Sequence, residues 1–190
     1  FCFLYGCVTI AVMIICIGGF PGSGRRRLTH DLSKALGFYI YPLGETKRKP
    51  SFKGLHKFIR PARGSPYPDG ILIQIYKRIV ADFPLVSKMY PDIIVKDHFH
   101  REIPREFFFA EAEKYFGPPI IVWVDASTEQ SVARLRDVLT SKEKKLAARL
   151  AVMETTRRDY QPFTREIHTV DYTANAEAAV RHVLELVKKR

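Results

Sequence analysis

Short apolar runs and helical stripes alternate along this chain of 190 residues. Runs rich in β-branched and aromatic side chains, bounded by glycine, proline or charged residues, are typical of short buried strands. They predict five strands, at residues 13–17, 38–41, 92–97, 120–124 and 167–170. Because strands that are apolar on both faces must be covered on both faces, we expect helices in the segments between them.

Helical periodicity fills those intervening segments. One stripe begins after Asp69, its expected N-cap, and consists of Ile71, Leu72, Ile75, Tyr76, Ile79, Val80 and Phe83. Capping and terminating residues predict further helices at residues 25–36, 104–116, around 132–138, around 146–153 and from Asn175. Residues 44–69 have weak periodicity with several prolines and glycines, which indicates an irregular excursion or flap.

The alternation of strands and helices predicts the fold class. Strands separated by helices form a parallel sheet, and right-handed crossovers place helices on both of its faces. We therefore expect an α/β protein of three layers, with a doubly wound, five-stranded parallel sheet between two layers of helices. No internal repeat or linker divides the sequence, and a chain of this length buries about 70% of its unfolded surface in one core. Residues 13–190 are expected to form a single domain.

The composition adds a strong positive charge. Lysine and arginine total 31 residues against 20 acidic residues, which gives a formal charge of +11 at pH 7. This excess favours acidic partners, namely nucleotides, phosphorylated metabolites, nucleic acid or anionic lipid, and does not choose among them. The three cysteines, Cys2, Cys7 and Cys16, show neither metal-site spacing nor a secretory disulfide pattern. A reducing, cytoplasmic location is therefore expected.

The amino-terminal segment supports two interpretations. Residues 1–20 form an uncharged, largely apolar run long enough to cross a bilayer, and the arginines after it would serve as a cytoplasmic flank. Alternatively, residues 13–17 are a buried strand, and residues 1–12 are an apolar extension upstream of a true start at Met13. We favour the strand, because it also explains the glycine-rich segment that follows. A membrane anchor or signal segment is the alternative.

A glycine-rich loop follows the first predicted strand. Gly19, Gly22 and Gly24 let successive backbone N–H groups turn inward, and the next helix presents its positive end to the same place. The P-loop pattern G-x-x-x-x-G-K-[ST] is matched at both glycines, but Arg25 occupies the lysine position and Arg26 the hydroxyl position. The spacing indicates a phosphate-binding loop, and the alternative is an ordinary glycine turn between a strand and a helix.

With this loop, the chain resembles the nucleoside monophosphate kinase-like group of P-loop kinases, which includes adenylate, cytidylate and shikimate kinases. The resemblance spans most of residues 13–190 and includes a divergent Walker A motif. Residues 97–101, D-H-F-H-R, resemble the segment D-G-F-P-R of adenylate kinases. Residues 123–126 and 133–135 resemble the family's fourth strand and the helix that opens its lid. Residues 157–159 resemble the arginine-rich far side of that lid.

The resemblance implies ATP and Mg²⁺ as cofactors and a small acidic acceptor. The implied nucleotide ligands are Gly19, Gly22, Ser23, Gly24, Arg25 and Arg26. Arg25 would replace the lysine that bridges the terminal phosphates, and a guanidinium can bind phosphate bidentately. Arg26 stands where a hydroxyl normally ligates magnesium, so its charge would repel the metal. Metal binding would then depend largely on Asp97, which is either a magnesium-orienting or substrate-activating carboxylate or a cap of the following turn.

The same resemblance implies roles for basic residues of the second half. Arg101 would bind an acceptor phosphate, or would form a solvated salt bridge. A basic lid expected around residues 139–160 would close on the transferred phosphoryl group, unless its charged face is simply solvated. The candidate arginines of this lid and the helix before it are Arg134, Arg149, Arg157 and Arg158. Arg157 and Arg158 are the preferred catalytic residues, and Arg134 joins Arg101 as a substrate ligand.

Two histidines near Asp97 are candidate metal ligands. His98 and His100 stand two residues apart on an expected loop. Because no third ligand is evident in the sequence, we favour a structural role or substrate contact for both.

Three functions follow, in order of preference. The first is a phosphotransferase that moves the terminal phosphate of ATP to a nucleotide or a small phosphorylated metabolite. The second is a non-catalytic nucleotide-binding module, in which Arg25 and Arg26 hold phosphate although the metal-dependent step has been lost. The third is a nucleic-acid-binding protein, which the net charge and the basic, aromatic residues 47–63 favour. A membrane partner is expected only if residues 1–20 are an anchor.

Overall fold

The computed structural model describes residues 12–43, 67–140 and 142–190. Within these ranges five strands form one parallel sheet with the order β2-β3-β1-β4-β5. The strands are β1 (Met13–Gly19), β2 (Tyr39–Ile40), β3 (Asp92–Lys96), β4 (Ile120–Val124) and β5 (His168–Val170). Because β1 is the central strand, the segment after it lies at the middle of the carboxyl edge, where open parallel sheets bind ligands.

Seven helices accompany these strands in the described parts of the chain. They are α1 (Arg25–Leu36), α2 (Asp69–Val80), α3 (Phe83–Met89), α4 (Glu102–Phe116), α5 (Thr128–Val138), α6 (Glu143–Arg158) and α7 (Ala176–Lys188). Local chemistry fixes several of their ends. Gly37 ends α1 in a left-handed conformation, a capping box of Ser127 and Gln130 starts α5, and the Asn175 side chain caps α7.

Apolar side chains on the two faces of the sheet form two separate clusters. Neighbouring residues of β1 point to opposite faces, so Cys16 packs with Phe108 of α4 while Ile17 packs with Leu28 of α1. The first cluster also contains residues of α2 and α3, and the second contains Val183 of α7. Both faces of the sheet are therefore covered, which confirms the three layers and the doubly wound parallel sheet predicted from the sequence.

Some local expectations were wrong. Pro68 occupies the N-cap of α2, and Asp69 is the first helical residue. The stripe expected to run through Phe83 is divided, because α2 ends earlier and Phe83 begins the separate helix α3. Val138, expected on an apolar stripe, is 65% exposed, since α5 is a peripheral helix in which only Ser131 is fully buried.

The amino-terminal strand occurs where the sequence predicts it. Met13 begins β1, whose next six residues are buried at the centre of the sheet. Of the extension expected at residues 1–12 and the excursion expected at residues 44–69, residues 1–11 and 44–66 lie outside the described residues. In the parts of the chain that the structure describes, no helix combines the length and the apolar character that crossing a bilayer requires.

Candidate functional site

The glycine-rich loop between β1 and α1 consists of residues 19–24, and it is called the phosphate loop below after the binding role predicted for it from the sequence. Gly19, Gly22 and Gly24 have φ angles of 146°, 87° and 99°. Residues that carry a Cβ rarely adopt such positive φ angles. Space is equally restrictive, since a Cβ on Gly22 would collide with the backbone of Ser131 at the start of α5. Backbone conformation and packing therefore both require glycine in this loop.

The phosphate loop leaves backbone donors unused. Arg27 is the first residue of α1 whose N–H finds a helical acceptor, the Gly24 carbonyl at 2.9 Å. Among the residues that the structure describes, the N–H groups of Gly24, Arg25 and Arg26 donate to no backbone carbonyl. The Ser23 hydroxyl is buried and has no hydrogen-bond partner within the same ranges. Free donors at a helix N-terminus are the elements of an anion-binding site.

Arg25 occupies the position of the usual P-loop lysine and connects the carboxyl ends of β1 and β3. Its guanidinium donates to the carbonyl oxygen of Gly19 and, at 3.1 Å, to that of Asp97. Burial lowers the pKa of Arg25 to about 10, while the Asp97 carboxylate acts in the opposite direction. Arg25 therefore stays cationic at neutral pH, and it places a fixed positive charge between the phosphate loop and Asp97.

Asp97 directly follows β3, and a tyrosine orients its carboxylate. The Tyr76 hydroxyl of α2 donates to Asp97 Oδ2 at 2.7 Å. Burial raises the pKa of Tyr76 well above its usual value, so this hydroxyl is a proton donor at neutral pH. The N-cap residue of the following helix, α4, is Arg101.

A cavity of about 200 Å³ lies beside Asp97 at the carboxyl edge of the sheet. Its walls come from α2, the segment after β3, the start of α4 and the middle of α6. Aromatic rings, among them Tyr76 and Phe99, supply much of the surface. Its charged lining groups in the described residues are Asp97, Arg101, Arg105 and Arg149. With more cations than carboxylates at its wall, the cavity suits an acidic molecule.

Helix α6 brings two arginines to the site. Arg157 donates to the Ala126 carbonyl at 2.7 Å, and its guanidinium lies 4.5 Å from the centre of the Phe20 ring in the phosphate loop. Arg149 lines the cavity, about two helical turns away on α6. Arg158, by contrast, has a side chain 74% exposed that pairs with the adjacent aspartate. The structure thus places Arg157, and Arg149 rather than Arg158, at the site.

The two arginines expected to bind substrate lie in different parts of the site. Arg101 lines the cavity, but its guanidinium pairs with Asp69 at 2.9 Å and also donates to the Tyr67 carbonyl at 3.4 Å. Arg134 lies on α5 and donates to the Gly22 carbonyl at 3.3 Å. Arg101 is therefore a salt-bridged residue at the cavity wall, whereas Arg134 contacts the phosphate loop.

The two histidines line the cavity next to Asp97. The ring centres of His98 and His100 lie 6.0 Å apart. His100 is only 4% exposed, and burial lowers its pKa to about 4, so its ring is neutral at pH 7. Within the described ranges, no three histidine, cysteine, aspartate or glutamate side chains are grouped as metal ligands. His100 is thus a neutral ring in the cavity wall.

Arg105 of α4 is a residue at the site that sequence reasoning missed. It is fully buried, donates to the carbonyls of Gln161 and Pro162, and its guanidinium lies 4.0 Å from the centre of the Phe163 ring. These contacts tie α4 to the segment that follows α6. The sequence signal for its burial is that Arg105 lies on the same helical stripe as Phe108 and Phe109, where an apolar residue is usual.

Magnesium, which the kinase resemblance implies, meets an unsuitable set of side chains here. In the P-loop sequence pattern Arg26 stands at the position of the metal-ligating hydroxyl, and the nearby Thr29 hydroxyl donates to the Arg25 carbonyl at 2.8 Å. The Asp97 carboxylate interacts electrostatically with the cationic Arg25 and already accepts a hydrogen bond from Tyr76. These residues fit phosphate oxygens better than they fit a divalent cation.

Comparison with known proteins identifies the fold. No protein-family model matches the chain, and no curated protein matches it. Among solved structures, a sugar kinase from Janibacter sp. HTCC2649 is 14% identical with a TM-score of 0.66, over 93% of this chain and 95% of its own. A gluconokinase from Sinorhizobium meliloti 1021 is 15% identical with a TM-score of 0.62, over 94% and 96%. The chain therefore has the P-loop NTPase fold of these kinases.

Proposed function

We propose that this chain is a phosphotransferase that moves the terminal phosphoryl group of ATP to a nucleotide or a small phosphorylated metabolite. The observation that carries this proposal is the position of Arg25, whose guanidinium bonds both to the phosphate loop and to Asp97 at the cavity. ATP bound at the loop and an acceptor molecule bound in the cavity would meet at the Arg25 guanidinium. The fold shared with a sugar kinase and a gluconokinase supports the same class of reaction.

The binding of ATP, the phosphoryl donor, depends on backbone N–H groups and guanidinium groups. Phosphoryl transfer needs positioning and positive charge around the moving group more than it needs a nucleophilic side chain. The free N–H groups of the phosphate loop would hold the β-phosphate, and Arg25 would bridge toward the transferred group. Arg157, stacked on Phe20 at the loop, would add charge from a lid around residues 139–160.

The acceptor side depends on Asp97 and the arginines of the cavity. Where the attacking oxygen belongs to a hydroxyl, Asp97 accepts its proton while the new P–O bond forms and the bond to ADP breaks. Tyr76 holds the carboxylate in place through its hydrogen bond to Oδ2. Arg149, at the cavity wall, would bind the acidic group of the acceptor, and Arg101 would add positive charge there beside its ion pair with Asp69.

The experiment is an assay of ADP formation with the full chain, ATP and a panel of nucleoside monophosphates and phosphorylated sugars. We expect Asp97→Asn to reduce kcat by about a hundredfold or more, because a positioned base typically contributes that factor. Asp82→Asn is the matched control, since Asp82 also accepts a hydrogen bond from a tyrosine but lies away from the cavity. Equal losses in both variants would contradict a catalytic role for Asp97.

A non-catalytic nucleotide-binding module is the second candidate, and Arg26 favours it. A cation in place of the metal-ligating hydroxyl allows phosphate to bind but removes a ligand that catalysis normally uses. ATP binding without turnover toward every acceptor of the panel would support this candidate. Nucleic-acid binding, the third function considered, depends on residues 47–63, which lie outside the described residues.

A further inference from the structure

The first turn of α1 carries positive side chains at the positive end of the helix dipole. Arg25, Arg26 and Arg27 occupy this turn, and no acidic residue accompanies them. The N-terminus of a helix carries partial positive charge, so cations destabilise it and bound anions stabilise it. Gly24, at the N-cap, offers no side chain to satisfy the free N–H groups. An anionic ligand is what would balance this arrangement.

Two of the three arginines have their charge available. Arg25 is engaged by loop carbonyls, but Arg26 and Arg27 are exposed and form no ion pair with any residue that the structure describes. Asp31, one helical turn beyond Arg27, accepts a hydrogen bond from the Tyr172 hydroxyl at 2.6 Å. Both free guanidinium groups therefore belong to the turn that presents the unused N–H groups of the phosphate loop.

The position of Arg26 is also the position at which P-loop proteins bind their metal. In those proteins a hydroxyl at this point ligates the Mg²⁺ that neutralises the triphosphate. A guanidinium here would repel the metal by its charge and would offer several N–H donors to the same phosphate oxygens. The buried, unpartnered Ser23 hydroxyl adds a neutral donor inside the loop.

We propose that the phosphate loop binds its nucleoside triphosphate as the metal-free polyphosphate, with Arg26 and Arg27 supplying the positive charge that Mg²⁺ supplies in other P-loop proteins. The proposal rests on the proposed binding of a nucleotide at this loop. Because free ATP is more negatively charged than its magnesium complex, the cationic turn favours the free form. Magnesium then weakens binding, since it converts ATP into the form with the lower affinity.

The test is a calorimetric titration of the full chain with ATP, first in EDTA and then in excess Mg²⁺. We expect wild-type binding to be at least as tight in EDTA as in Mg²⁺. Arg26→Thr removes a charge-assisted contact and restores the hydroxyl, so its affinity in EDTA should fall about tenfold and should improve when Mg²⁺ is added. Lys34→Thr, which removes a cation from the last turn of the same helix, is the matched control and should leave both affinities unchanged.

The outcomes separate this inference from the function on which it rests. Wild-type affinity that is tenfold higher in Mg²⁺ than in EDTA would overturn metal-free binding and would leave the proposed phosphotransferase intact. Absence of ATP binding in both solutions would overturn both proposals. The melting temperature of the nucleotide-free protein is a second readout, because Arg26→Thr removes a cation from the helix N-terminus and should raise it. A lower melting temperature for Arg26→Thr would count against an unbalanced charge at this turn.

Discussion

The Tyr76 hydroxyl donates a hydrogen bond of 2.7 Å to Asp97 Oδ2 and so joins α2 to the carboxyl end of β3. A second pair of the same chemistry exists away from the cavity, where the Tyr41 hydroxyl donates to Asp82 Oδ2 at 3.1 Å. Both tyrosines are only 3% exposed. The chain therefore contains its own control for the effect of a buried tyrosine–aspartate hydrogen bond on function.

Tyr76→Phe should separate activity from stability. Loss of the hydroxyl removes one hydrogen bond, so we expect the free energy of unfolding to fall by about 1 kcal/mol, and the same for Tyr41→Phe. Only Tyr76→Phe removes a hydrogen bond from the Asp97 carboxylate, so it alone should lower kcat, by roughly tenfold, with little change in ATP affinity. Urea unfolding and steady-state kinetics measure the two effects. A similar loss of kcat in Tyr41→Phe would show that the effect is general destabilisation.

Gly24→Val should abolish nucleotide binding in a protein that still folds. A Cβ on Gly24 would collide with the Arg134 guanidinium and would lie 2.9 Å from the Tyr172 ring. Gly37, at the other end of α1, also has positive φ, but a Cβ there meets nothing within 4 Å. We expect Gly24→Val and Gly37→Val each to cost about 1–3 kcal/mol of backbone strain, and only the former to lose ATP affinity in a calorimetric titration. Unchanged affinity in a folded Gly24→Val protein would remove the phosphate loop from the binding site.

His100 should make the protein less stable in mild acid. Burial lowers the pKa of the folded-state ring to about 4, with Asp97 acting in the opposite direction, whereas the unfolded value is near 6.5. Between these values the unfolded chain binds the proton more readily, so the free energy of unfolding decreases as pH falls from 6.5 toward 4. The full effect is on the order of 3 kcal/mol.

The measurement is urea unfolding across that pH range. His100→Gln should flatten the profile because the substituted side chain does not titrate. Equal slopes in wild type and His100→Gln would show that other groups cause the acid sensitivity.

Local signals in the sequence were sufficient for most of the fold. The apolar run of β1, the glycines after it and Gly37 define a strand, a loop and a helix through interactions within a few residues, and the structure agrees with each of them. The order of the strands was not predictable from these patterns, because pairing between β1, β3 and β4 depends on contacts distant in sequence.

Part of the site was also predictable from local signals in the sequence. The loop and Asp97 follow strands directly, so their meeting at the carboxyl edge follows from a parallel sheet. Which arginine of α6 reaches the cavity depends on the rotation of that helix, and its charged residues occur on all sides, so Arg149 could not be distinguished from Arg158. Arg105 was missed because burial of a guanidinium depends on carbonyl acceptors more than fifty residues away.

Restoring the usual P-loop residues tests whether catalysis is retained. Arg25→Lys with Arg26→Thr returns the lysine and the metal-ligating hydroxyl, and it removes the cation that opposes magnesium. Asp97 and the cavity arginines are untouched, so an otherwise intact site should gain Mg²⁺-dependent phosphotransfer or ATP hydrolysis. We expect kcat to rise by roughly tenfold or more, since removal of a charge conflict of about 1.4 kcal/mol or more has that effect. ADP formation with and without Mg²⁺ is the measurement.

Whether the activity gained by the double variant requires Asp97 shows where the reaction takes place. If the gain arises at the proposed site, adding Asp97→Asn to the double variant should abolish it, whereas adding Asp82→Asn should not, because Asp82 lies away from the cavity. A double variant that binds ATP but stays inert toward every acceptor would favour the non-catalytic module, since charge at position 26 would then not be what prevents turnover. A wild-type chain that turns over faster than the double variant would contradict the argument that charge at position 26 opposes magnesium, because Arg26 would then point away from the metal site.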